Sequence, residues 1–156
     1  MKISVMAVGE TDKSELTTLI NDYSKRISRY LPITFDAIPL RKIRSSSPHE
    51  QLKAEGRLLL DRISDTEEVI LLDSTGKGYT SEAFSDWIQE RMNRSTRHLV
   101  FMIGGAYGFS EEVIARANGK ISLSSMTFTH QMVRIILLEQ IYRAFTILNN
   151  EPYHHG

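Results

Sequence analysis

Apolar and polar positions along the 156-residue chain alternate between short apolar runs and longer amphipathic stretches. Lys2 to Val8 alternates weakly and stops at Gly9, the pattern of a buried strand feeding a turn. From Ser14-Glu15-Leu16 the spacing becomes helical, with Leu16, Leu19, Ile20, Tyr23 and Ile27 on one face. That helix ends near Leu31-Pro32, because a residue before proline leaves helical backbone. Ile33 to Leu40 predicts a second strand. Ser47-Pro48-His49-Glu50 has the marks of a helix start: a serine cap, proline in the first turn and glutamate three positions on. Its helix runs to about Ile63, and the wholly apolar Val69-Ile70-Leu71-Leu72 suits a strand covered on both faces. Thr80 or Ser81 caps the next helix, with Phe84, Trp87, Ile88 and Met92 on its buried stripe. Leu99 to Ile103 is a strand, and Ser110-Glu111-Glu112 opens a short helix with two acids at its positive end. Ile121 to Leu123 is a last strand, and a long helix covers about Gln131 to Leu148.

Strand and helix alternate throughout, so the fold class is α/β, a mostly parallel sheet flanked by helices on both faces. With no repeat, no low-complexity tract and no linker, residues 1–156 read as a single domain. No apolar run is long enough to span a membrane. Cysteine is absent, which excludes a disulfide framework and thiolate metal sites, and the plain expectation is a cytoplasmic protein. The 19 basic and 19 acidic residues cancel, which argues against coating nucleic acid by bulk charge and turns attention to local patches.

Three loops follow strand ends: Asp73 to Tyr79, Gly104 to Phe109 and Ser124 to Thr129. Ligands of open α/β sheets bind outside the carboxyl ends of the strands, and glycines there admit a ligand close to the backbone. Neither familiar nucleotide loop is present. Gly76-Lys77 is followed by Gly78 instead of Ser or Thr, and Gly104-Gly105-Ala106-Tyr107-Gly108 lacks the dinucleotide spacing. The last helix is apolar on two sides, with Val133, Leu137, Ile141, Ala144 and Leu148 on one and Met132, Ile136 and Ile147 near the other. One side can face the sheet and the other a second subunit; burial within a single chain is the alternative. Arg134 and Arg143 interrupt this helix, and a buried guanidinium needs a partner, either an anionic ligand or Glu139. His154 and His155 have no acidic or thiol partner at ligand spacing, so no metal is expected.

Read together, these segments have a family likeness. Leu72-x-x-x-Gly76-Lys77, Phe101-x-Ile103-Gly104-Gly105 with Gly108, and Leu123-Ser124-x-Met126-Thr127-Phe128-x-His130 come first. Arg134, Glu139-Gln140-x-Tyr142-Arg143-Ala144 and Asn150-x-Pro152-Tyr153-His154 follow. With these motifs the chain resembles, over essentially its whole length, the small ribosomal RNA pseudouridine N3-methyltransferases of the knotted SPOUT class. The resemblance implies a trefoil knot over about residues 70–156 and a homodimer. It also implies S-adenosylmethionine as methyl donor, contacted by Leu72, Gly104, Leu123, Ser124, Ser125, Met126, Thr127 and Phe128. The implied substrate is a pseudouridine in a stem-loop of large-subunit ribosomal RNA, modified on the assembled ribosome. Many relatives carry proline before the motif histidine; Thr129 here can cap the helix instead.

Within that frame His130, Tyr153 and His154 are candidates to manage the N3 proton, without a choice among them, and Arg143 is a candidate to stabilise charge on the base. Lys25, Arg26, Arg29, Arg41, Lys42 and Arg44 are candidate RNA contacts, a solvated surface being the alternative. Two other readings share the fold: a ribosome-binding knot protein without activity, and a methyltransferase of transfer RNA.

Overall fold

The computed structural model describes residues 1–40 and 47–155. Along the chain run β1 (Lys2–Val8), α1 (Ser14–Ile27), β2 (Ile33–Ile38), α2 (Pro48–Leu60), β3 (Glu68–Gly78) and α3 (Ser81–Asn93). β4 (His98–Ile103), α4 (Glu111–Arg116), β5 (Gly119–Ser122) and α5 (His130–Leu148) complete it. The strands form one sheet in the order β2-β1-β4-β3-β5, parallel at every pairing. Successive strand residues point to opposite faces, which sorts the core into two halves. Ile3, Val5, Ala7, Leu99, Phe101 and Ile103 pack with α1, α3 and α5. Met6, Val8, Val69, Leu71, Val100 and Met102 pack with Leu59 of α2 and Val113 of α4.

The capping residues start the helices where the sequence places them. Backbone N–H groups of Glu50, Ala83, Val113 and Met132 donate to the hydroxyls of Ser47, Thr80, Ser110 and Thr129, at 3.1–3.4 Å. Thr80, not Ser81, therefore caps α3, and each such bond is worth about 1 kcal/mol. Two predicted core positions are instead exposed, Leu19 at 43% and Met92 at 40%. The face of α1 turned inward runs through Ile20 and Ile27, with Leu19 beside it; that of α3 runs through Phe84, Ser85 and Ile88.

Residues Asp73 to Gly78, expected as a loop, belong to β3. Ile121 is the register partner of both Leu72 and Lys77, so Asp73 to Gly76 arch past β5. The arch passes so close that a Cβ on Gly76 would stand 2.6 Å from the Ile121 backbone. At the opposite ends of the strands, side chains close the structure. The Ser4 hydroxyl lies 2.8 Å from the Thr34 hydroxyl and 2.7 Å from His98 Nε2, and His98 Nδ1 lies 2.7 Å from a Glu67 carboxylate oxygen.

α5 lies between α1 and α3. It buries Leu137, Leu138, Ile141, Ala144 and Phe145 against the sheet, as its apolar periodicity requires. On its other side Met132 is 44% exposed, with Ile136 and Ile147 half-buried.

Candidate active site

A two-lobed cleft opens at the carboxyl ends of β3, β4 and β5. One lobe, about 190 Å³, is lined by Leu72, Leu123, Ser124, Met126, Thr127 and Phe128, among others. The adjoining lobe, about 490 Å³, is lined by Gly104, Gly105, Ala106, Gly108 and His130. Leu72, Asp73, Ser74, Phe128 and Val133 border both. The cleft falls in the size range of small-molecule sites. Of the residues named from the sequence for a cofactor, all line it except Ser125, which is exposed outside both lobes.

The walls follow from local chemistry. After β4 the chain doubles back within five residues, with the Gly108 N–H donating to the Gly105 carbonyl at 3.1 Å. A Cβ on Gly104 would stand 2.6 Å from the Gly108 carbonyl oxygen, so only glycine fits that turn. After β5 the Ser122 hydroxyl donates to the Ser124 carbonyl at 2.9 Å, and the Ser124 hydroxyl accepts from the Met126 N–H at 2.9 Å. These bonds turn the segment so that Met126 and Phe128, 73% and 38% exposed, stand at the rim.

Asp73 opens one of the loops named from the sequence, but sequence reasoning gave it no role of its own. It borders both lobes, and one of its oxygens accepts from the Thr75 hydroxyl at 2.5 Å and the Thr75 N–H at 2.8 Å. Those bonds, the hydroxyl first, hold its carboxyl below the ordinary carboxylate range. The usable signal was its place directly after an apolar strand in a parallel sheet.

Arg134 is fully buried, and its partners within the chain do not include Glu139. Its guanidinium donates to the Val8 and Gly9 carbonyls at 2.9 and 3.0 Å and to the Thr11 hydroxyl at 3.0 Å. Gly9 follows the last residue of β1, where the strand's carbonyls run out of ladder partners, and Arg134 replaces them. Burial pushes the guanidinium down from its ordinary value.

The four candidate catalytic side chains divide into two groups. His130, exposed, stands at the cleft as the first residue of α5. Arg143, Tyr153 and His154 gather further down the same helix. Arg143 Nε donates to Glu139 at 3.0 Å and its guanidinium sits 4.9 Å from the Tyr153 ring centre. The Tyr153 hydroxyl donates to Glu139 at 3.3 Å, and its ring meets that of Tyr142 edge-on at 4.7 Å. His154 Nδ1 lies 3.4 Å from Arg143 and its Nε2 2.7 Å from Glu82. Burial raises the Tyr153 phenol, whereas bonding to Glu139 raises Arg143. At 1.5 Å per residue, Arg143 lies about 20 Å along α5 from His130, so one chain does not bring the four together.

Lys25 and Arg29 are exposed, but Arg26 pairs with Asp22 at 2.9 Å and lies over the Tyr142 ring, which leaves it less available to RNA. Arg41, Lys42 and Arg44 fall outside the described residues. Among the described residues no three His, Asp or Glu side chains gather as a metal site, and no helix is long and apolar enough to cross a membrane.

Known proteins sharpen what this geometry means. The family model described as "Predicted SPOUT methyltransferase" matches residues 1–154. A protein of Christiangramia forsetii named ribosomal RNA large subunit methyltransferase H is 52% identical over 156 residues, covering 99% of each chain. Proteins with the same name from Flavobacterium johnsoniae and Cytophaga hutchinsonii are 49% and 46% identical over 156 and 155 residues, covering 99% or more of each chain. With a family match from end to end and a glycine-walled cleft where a parallel sheet binds its ligands, the chain belongs to the SPOUT methyltransferase family.

Proposed function

We propose that the protein is an S-adenosylmethionine-dependent methyltransferase of large-subunit ribosomal RNA, acting in the cytoplasm on N3 of a pseudouridine in the assembled ribosome. The observation that carries this reading is the cleft, whose lining includes Leu72, Gly104, Leu123, Ser124, Met126, Thr127 and Phe128. Its chemistry fits that cofactor. Backbone groups and apolar side chains suit an adenosine, and the Asp73 carboxylate suits a cationic end. Bound there, the cofactor supplies a methyl group on a sulfonium, transferred to N3 as the N3 proton leaves. The names of the relatives support RNA of the large subunit as the acceptor.

This chain's own residues then have two tasks, to align the base and to take the proton. His130 at the cleft, Tyr153 and His154 are the candidates to take the proton, and Arg143 is the candidate to stabilise charge on the base, but the Arg143 group lies about 20 Å along α5 from His130. A symmetric homodimer reconciles them. A two-fold axis across α5 sets the carboxyl end of one helix beside the amino end of the other, bringing one chain's tail to its partner's cleft. The stripe of exposed Met132 and half-buried Ile136 and Ile147 on α5 supports that packing. We read residues 1–156 as one domain, with the arch of Asp73 to Gly76 around β5 as the place where the knot over residues 70–156 is threaded.

Labelled methyl transfer to ribosomes lacking the modification tests the function. Label on N3 of the large-subunit pseudouridine supports it. Label on free transfer RNA, or cofactor binding without transfer, replaces it with one of the other two readings. Deleting residues 153–156 is expected to lower transfer at least about 100-fold while the melting temperature and cofactor affinity stay near wild type. Transfer at near wild-type rate from the folded truncated protein removes the tail from the mechanism.

A further inference from the structure

The site just described leaves one buried carboxylate without a task. Glu55, in the third turn of α2, is 2% exposed and is the only acidic side chain buried to this degree among the described residues. Its Oε1 accepts from Gln51 Nε2 at 2.8 Å, and among the described residues its Oε2 has no hydrogen-bond partner. The free oxygen is turned toward the glycine loop. A Cβ on Gly105 would stand 2.8 Å from Oε2 and 3.3 Å from Oε1, and Gly105 itself lines the larger lobe. A single residue without a side chain therefore separates a buried carboxylate from the cleft.

Burying a carboxylate without a cation is costly, and a positive charge arriving nearby offsets that cost. The interaction needs no contact, because a charge acting across a single glycine of protein is screened less than one acting through bulk water. Resting on the reading that the cleft takes S-adenosylmethionine, we propose that Glu55 is a specificity-determining residue that selects the cationic methyl donor over its neutral product. Donor and S-adenosylhomocysteine share the adenosine, the ammonium and the carboxylate, so backbone contacts to those parts bind both. They differ by one methyl group and one unit of positive charge at sulfur. Asp73, at the cleft surface, acts in the same sense but is partly satisfied by Thr75; the Glu55 oxygen is not. The functional outcome is exchange: spent cofactor loses the attraction that held the donor and leaves.

Calorimetric titration of the intact protein with three ligands tests this: S-adenosylmethionine, S-adenosylhomocysteine and sinefungin, which carries an amine in place of the methylsulfonium. Wild-type protein is expected to bind both cationic ligands more tightly than S-adenosylhomocysteine. Equal affinity for all three overturns the proposal whatever the variants do. Glu55→Gln, nearly isosteric, is expected to weaken the two cationic ligands about tenfold and the neutral one less than about twofold. Uniform weakening, or none, overturns it. Glu55→Asp keeps the charge and is expected to keep the preference; loss of preference in both variants marks a packing role and also overturns it. Melting curves confirm that each variant is folded. If the wild-type protein binds none of the three ligands, the functional reading itself falls, an outcome distinct from all of these.

Discussion

The two ends of the sheet are built on opposite plans. At the amino-terminal ends of the strands, Thr34, Ser4, His98 and Glu67 form a continuous chain of partners across β2, β1, β4 and the approach to β3. At the carboxyl ends the chain instead spends glycines, an arch and exposed apolar side chains on keeping a cleft open. The same five strands thus supply a fastened floor and an open roof. Binding needs free backbone and accessible carboxylates, whereas folding needs both consumed; separating them along the strand direction lets each be met.

Arg134 is where the two plans meet, since it fastens the end of β1 from the helix that lines the cleft. Arg134→Met removes the guanidinium donor from the Val8 and Gly9 carbonyls. It is expected to cost about 3 kcal/mol in urea unfolding, because buried acceptors are left unpaired. Gly104→Ala attacks the open end: its Cβ collides with the Gly108 carbonyl, and cofactor affinity is expected to fall about tenfold or more while the displaced turn costs about 1–3 kcal/mol of stability. Ser4→Ala attacks the fastened end alone and is expected to cost about 1 kcal/mol of stability while cofactor affinity stays within error. Should Ser4→Ala weaken binding as much as Gly104→Ala does, the two ends are not separate.

The smallest effect appears only in alkali. Burial, then donation to Glu151, pushes the Tyr30 phenol up to about 12 from an ordinary value of 10. A phenol held protonated in the folded state stabilises it fully below pH 10, and that stability is lost as pH rises from about 10 to about 12. Tyr30→Phe is expected to remove this part of the alkaline fall in unfolding free energy, whereas an unchanged slope would show that Tyr30 makes no such contribution.

Much of this architecture is legible in the sequence, for local reasons. Ser47, Thr80, Ser110 and Thr129 announce helix starts because a hydroxyl bonds its own neighbourhood. The apolar runs of β3 and β4 announce burial on two faces, and the loops after them hold the cleft residues. What stayed hidden depends on pairing at a distance. Asp73 to Gly78 has no strand-like alternation, and its extended course is set by β5, more than 40 positions later. Arg134 resembled a ligand site because its partners are backbone carbonyls, which no sequence displays. Asp73 was legible only as the start of a candidate ligand loop, and nothing in the sequence marks Glu55 as buried, since burial depends on what packs over a residue. Ser125 shares a motif with its neighbours, but the turn made by Ser122 and Ser124 points it away from the cleft.

The bonds from Arg134 to the end of β1 also bear on how the protein is made. They join positions 126 and 125 residues apart, nearly the full span of the chain. A ribosome delivers β1 first and Arg134 almost last, so the earliest strand waits through most of synthesis with its final carbonyls unpaired. Closing so long a loop carries a large entropic cost, and a topology rich in such closures folds slowly. Fastening of the end of β1 is therefore a late step, and nascent chains halted before Arg134 should be more open to protease there than those halted well beyond it.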